Sequence, residues 1–97
     1  MAKKIVWSER AQVDRKMIFS YWNQRNKSTR YSIKLNNLFE EAVVLISIYP
    51  NIGKKTNRPH VRVKIVREYL IYFRESEKEI YILTIFSSHR NPSNLKL

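Results

Sequence analysis

The stretch from His60 to Phe73, HVRVKIVREYLIYF, constrains this chain most, because it reads as two antiparallel strands turned at Arg67-Glu68. In its first half Val61, Val63 and Ile65 alternate with Arg62, Lys64 and Val66. A strand sends successive side chains to opposite faces, so this pattern predicts one face buried on Val61, Val63 and Ile65 and the other cationic through Arg62 and Lys64. A sheet built on the hairpin is expected to have an oily side and a basic side.

The chain has 97 residues, enough for one domain with a modest core, and residues 1–97 are read as that single unit. Nineteen Lys and Arg against eight Asp and Glu give a formal charge of +11, while six Tyr, four Phe and two Trp argue against a disordered basic tail. Such an excess points to a polyanionic or acidic partner, since positive potential speeds encounter and counterion release favours nucleic-acid binding. With no Cys there is no disulfide framework or Cys-based metal site, and neither His60 nor His89 has clustered acids beside it to make one. No apolar run approaches the ~20 residues of a membrane span. The opening MAKKIVWSER lacks a signal-peptide core, so a cytoplasmic location without membrane contact is expected.

Ahead of the hairpin, Lys4 to Trp7 reads as a short strand. Ser8 as N-cap and Glu9 in the first turn predict a helix ending near Arg25, with Ala11, Ile18, Tyr21 and Trp22 inward, Met17 beside them, and Arg10, Arg15 and Lys16 in water. Trp7 and Trp22 are assigned to the core. After a polar link capped by Ser28, Tyr31, Leu35, Leu38, Phe39, Ala42, Leu45, Ile46 and Tyr49 recur at helical spacing. The short link makes the two helices an antiparallel hairpin. Val43, Val44 and Ile48 widen the stripe, so the end of the second helix is either deeply buried or offered to a partner.

Asn51 to Pro59 reads as a loop bearing Lys54, Lys55 and Arg58, and from Lys54 to Arg67 the chain holds six cations and no acid. After an acidic turn at Glu75 to Glu79, Ile80 to Phe86 is a third strand, followed by a polar tail with His89 and Arg90. The fold class is α+β: an N-terminal strand, a helical hairpin, then a three-stranded antiparallel meander, with the first strand at an edge or between neighbours.

Several short motifs, in this order and spacing, resemble the RelE/ParE superfamily of bacterial type II toxin-antitoxin toxins across nearly the whole chain. They are IVWSERA at the first helix, YW-x-x-RN from Tyr21 to Asn26, YSIKL in the second helix, YPNIG from Tyr49 to Gly53, VRVKIVREYLIYF, and the last strand ending in HRNP. The resemblance implies a growth-arresting toxin, of the kind that stabilises plasmids, neutralised by a cognate antitoxin that wraps its groove; operator DNA would be reached only through that antitoxin. It implies no cofactor. ParE-like members inhibit DNA gyrase, and the long helical hairpin with the YPNIG turn favours that branch. The alternative is RelE-like cleavage of mRNA on the ribosome, and a third reading is a non-toxic basic nucleic-acid-binding domain.

Metal-free RNA cleavage needs a base for the 2′-hydroxyl, cations for the crowded phosphate and an acid for the leaving oxygen. RelE-like enzymes place such groups on the concave face of the sheet and near the C-terminus. If the chain is a nuclease, the candidates are Arg62, Arg90 and His89, the last because imidazole is the side-chain type suited to general acid or base work. Lys54, Lys55, Arg58, Arg62, Lys64, Arg67 and Arg90 are the candidates for nucleic-acid or target binding, and Tyr72 could stack on a base or an antitoxin side chain. Two departures weigh against the nuclease. Leu70 stands where RelE-like enzymes carry an Arg after the tyrosine of the second hairpin strand, and no Tyr follows Arg90. The sequence leaves open whether the chain is an enzyme.

Overall fold

The computed structural model describes residues 2–90 and Leu95. Its elements are β1 (Lys4–Trp7), α1 (Glu9–Asn26), α2 (Arg30–Ile48), a 3-10 turn (Pro50–Ile52), β2 (Lys54–Lys55), β3 (Val61–Val66), β4 (Tyr69–Glu75) and β5 (Glu79–Ser87). The meander β3-β4-β5 forms as its alternation predicts, and β1 joins the edge of β5 in parallel. The five strands run in the order β1-β5-β4-β3-β2. Sequence reading missed β2, two lysines with no hydrophobic pattern of their own.

Local chemistry sets the helix ends. Ser8 accepts the Ala11 N–H at 2.9 Å and donates its hydroxyl to the Leu83 carbonyl at 2.9 Å, so the cap of α1 also fastens the helix to β5. Lys27 closes α1 in the left-handed region at φ 49°. Thr29 occupies the N-cap position of α2 without a side-chain bond; Ser28, the expected cap, instead accepts the Arg30 N–H at 3.2 Å. Ser32 donates to Asn23 Oδ1 at 2.5 Å and ties the two helices together.

Side chains of directly paired residues share a sheet face. The helix-covered face carries Tyr69, Ile71 and Phe73 of β4 and Ile80 and Ile82 of β5, packed on Ala11, Leu35, Phe39, Ala42, Val43 and Ile46. Their partners in β3 are Val66, Lys64 and Arg62. The expected facing of β3 is therefore reversed. Val66 is 9% exposed and Ile65 52%, so Arg62 and Lys64 lie on the helix side, and Val61, Val63 and Ile65 lie opposite with Arg74, Tyr72 and Leu70. The reason is register: the turn at Arg67-Glu68 pairs Val66 with Tyr69 beneath the helices, which fixes every other residue of β3. Arg62 and Lys64 are half-buried near the edge of the sheet, and the Arg62 guanidinium donates to the Gly53 carbonyl at 2.8 Å.

α1 is apolar along two rows. Ala11 is fully buried, Ile18 and Trp22 pack against the core, and Phe19 stacks on Phe39 with ring centroids 6.2 Å apart. Tyr21, expected inward, and Met17, expected beside that stripe, are 53% and 66% exposed and form an outer i, i+4, i+8 row with Val13. The end of α2 is not deeply buried: Val44, Leu45, Ile48 and Tyr49 are exposed, Leu45 and Tyr49 among them although they belong to the apolar stripe read from the sequence, while Val43 is buried. Trp7 and Trp22 are half-buried against the core, and the Arg15 guanidinium lies 4.2 Å from the Trp7 ring centroid. Phe86 and Leu95 are buried outside the helix-covered core, so the tail is not wholly polar.

Candidate functional site

The candidate cations do not form one cluster: Lys55, Arg58 and Arg62 gather at one end of the sheet and Arg90 lies at the other, while Lys54, Lys64 and Arg67 line neither of the cavities at those ends. At one end the loop between β2 and β3 borders a cavity of about 490 Å³ lined by Lys55, Arg58, His60, Arg62 and Glu75. Arg62 donates from Nη1 to the Gly53 carbonyl at 2.8 Å, and Arg58 from Nη2 to the Leu95 carbonyl at 3.1 Å. Lys55 pairs with Arg62 and shares its face, whereas Lys54 pairs with Val63 and faces the other way.

At the other end, a cleft of about 710 Å³ lies between α1 and the ends of β4 and β5. Met17, Tyr21, Trp22, Tyr31 and Tyr69 form its aromatic and apolar wall, and Arg25, His89 and Arg90 add cationic or titratable side chains. The Trp22 indole donates to Tyr69 Oη at 2.7 Å, and the Tyr31 hydroxyl donates to Glu68 Oε1 at 3.1 Å. Asp14 at the cleft accepts the Thr84 hydroxyl and, at 3.3 Å, the Ile85 N–H. Arg90 stacks 4.8 Å from the Phe86 ring centroid. Arg67 sits at the tip of the β3–β4 turn in the left-handed region, φ 56°.

Arg62 is thus not brought together with His89 and Arg90. Arg62 pairs with Phe73, while Ser87, two residues before His89, pairs with Tyr69. The four-residue offset along β4 spans roughly 13 Å of strand rise. On the face away from the helices, Leu70 is bracketed by Ile65 and Phe86. Tyr72 is half-buried on that face beside Val63. Asn91, Pro92 and Ser93, which follow Arg90 without a tyrosine, lie outside the described residues. Sequence reading did not find the aromatic cleft. It joins Trp22, Tyr31 and Tyr69 from three elements, and only the RN motif at the end of α1 pointed near it.

The buried polar contacts here have measurable consequences. Thr84 is 1% exposed, so Asp14→Ala should strand its hydroxyl and the Ile85 N–H and cost about 1–3 kcal/mol in urea unfolding. Burial pushes the Tyr69 phenol above its ordinary 10.0, against the opposing bond from Trp22. Burial and then the bond to Glu68 push Tyr31 the same way. A raised folded pKa means the unfolded chain ionises first. The associated stability is fully present below about pH 10 and is lost as pH rises through the raised folded values. Unfolding midpoints measured across that alkaline range should fall more steeply for the wild type than for Tyr69→Phe.

Among the described residues, no three His, Asp or Glu side chains gather in a way that could hold a metal ion, and no helix is long and apolar enough to cross a membrane. The β-α-α hairpin leading into an antiparallel meander, with a parallel first strand at its edge, is the architecture of RelE/ParE superfamily toxins. Solved structures bear out that fold: a chain described as the chromosomal ParDE TA system from P. aeruginosa superimposes with a TM-score of 0.77 at 22% identity, over 89% of this chain and 96% of that one. A sequence comparison with curated proteins finds no match. The family model for the ParE toxin of type II toxin-antitoxin system, parDE, matches residues 5–92, and the chain belongs to that family.

Proposed function

We propose that this ParE-family toxin arrests growth by inhibiting DNA gyrase and is held inactive by an acidic antitoxin. The observation that carries the choice of target is the composition of the sheet face away from the helices. Leu70 lies there between Ile65 and Phe86, while Arg62 and Lys64 are turned to the helix side. Lys54 and Arg74 also lie on that open face, but Arg62 and Lys64 do not, and Leu70 fills the place where RelE-like nucleases carry an arginine, so the arrangement favours a toxin that acts by binding.

The antitoxin is expected to lay an amphipathic acidic segment along the cleft between α1 and the sheet. The exposed row of Met17 and Tyr21 offers apolar anchors, and Arg25 and Arg90 supply opposite charge. Both acids of that cleft already accept hydrogen bonds within the toxin, Asp14 from Thr84 and Glu68 from Tyr31. Expression in growing cells tests the reading. Arrest should begin with loss of plasmid supercoiling while messages stay intact, and co-expression of the antitoxin should restore growth. Early cuts in translated messages with supercoiling preserved would establish the nuclease instead.

A further inference from the structure

We infer that the cavity beside the β2–β3 loop binds the phosphodiester backbone of a nucleic-acid strand, a role that goes beyond gyrase inhibition and stands or falls separately from it. Among the described residues, the cavity's one carboxylate, Glu75, is paired with Lys3, its Oε2 2.8 Å from Nζ. That leaves the charges of Lys55, Arg58 and Arg62 uncompensated within the lining, with the His60 ring as a further N–H donor.

The site is held in shape without a ligand. Thr56 closes the loop through its N–H and hydroxyl, both donated to the Val61 carbonyl at 3.2 and 2.8 Å, and its Oγ1 accepts the Arg58 N–H at 3.1 Å. Each of the two guanidinium groups gives one N–H to a main-chain carbonyl, Arg58 to Leu95 and Arg62 to Gly53. A guanidinium has five N–H donors in one plane, so anchoring one orients the rest at little further entropic cost. Planar cationic forks suit phosphate oxygens, and such contacts position a strand without reading its sequence.

The volume, about 490 Å³, lies in the range of small-molecule pockets and suits a nucleotide-sized unit better than a lone ion. Among the described residues, Pro59 and Val61 are the only apolar ones in its lining, which favours a sugar-phosphate chain over an amphipathic acidic peptide.

Fluorescence anisotropy tests this, using the full-length protein and a labelled single-stranded oligothymidylate at several salt concentrations, with no gyrase present. The double variant Lys55→Ala, His60→Ala alters two exposed side chains and spares both anchored arginines. It should bind on the order of tenfold more weakly, with the salt dependence of log K reduced by about one. Lys54→Ala removes an equal charge from the other face of the sheet and should change affinity less than about twofold. Equal losses in the two variants would reduce the effect to net charge and overturn the site, as would no binding at low salt. Poly-glutamate binding as tightly as the oligonucleotide would overturn it in favour of an acidic protein partner. Because gyrase is absent, none of these outcomes bears on supercoiling inhibition.

Discussion

Phe39→Ala should remove about 3–5 kcal/mol of folding stability, the cost typical of truncating a buried aromatic that its neighbours cannot replace. Phe39 is fully buried on α2, stacked on Phe19 of α1 and edge-on to Tyr69 of β4 at 5.8 Å between centroids. It therefore joins both helices to the sheet at one point. A domain of this size has roughly 5–15 kcal/mol in total, so the variant should be partly unfolded at growth temperature. Urea unfolding measures the loss directly, and a change under about 1 kcal/mol would show that this contact does not hold the layers together.

The chain's single glycine should be nearly as intolerant, for the opposite reason. Gly53 has φ −73°, which any residue can adopt, so its requirement is space. A Cβ there would lie 2.5 Å from Phe73 Cζ and 2.7 Å from Phe73 Cε1, with Arg62 Cβ 3.1 Å away. Phe73 is 0% exposed and cannot withdraw without disturbing the core. Gly53→Ala should cost about 1–3 kcal/mol through overpacking. It should also shift the Gly53 carbonyl away from Arg62 Nη1, so the cavity beside the loop would change with the turn. Unfolding of Gly53→Ala beside Gly53→Ala, Phe73→Leu separates the two effects: the smaller partner should recover part of the stability if the clash is the cause.

The elements with strong periodicity were legible before any coordinates. α2 is found within two residues of its sequence reading, and β3, β4 and β5 follow from alternation and turn residues. The facing of β3 was not legible, because Val61, Val63 and Ile65 look like the buried set and only the pairing of Val66 with Tyr69 shows otherwise. Since a strand's two faces differ by a single residue of register, that one contact puts Arg62 and Lys64 on the helix side and not on the open cationic face that the alternation predicts. β2 escaped because its two lysines are held by their pairing with Val63 and Arg62 and by no property of their own.

For the site, the cationic run from Lys54 to Arg67 was plain in the sequence, but its division was not. A run of like charges gives no direction to individual side chains, and the fold sends Lys54 one way, Lys55 and Arg62 another, and Arg67 to a distant turn. Arg58 and Arg62 also carry structural bonds to Leu95 and Gly53, so each has a role in the fold beside any role in binding. The Trp22, Tyr31 and Tyr69 cleft depends on the crossing of the helical hairpin over the sheet, which sequence spacing does not specify.

Gyrase inhibition is tested with purified toxin, purified gyrase and relaxed plasmid, with supercoiling read on a gel. Dose-dependent loss of supercoiling that purified antitoxin relieves is expected, with no cleavage of messages in a reconstituted translation reaction. Full gyrase activity at saturating toxin, together with cleavage of ribosome-bound message, would contradict it.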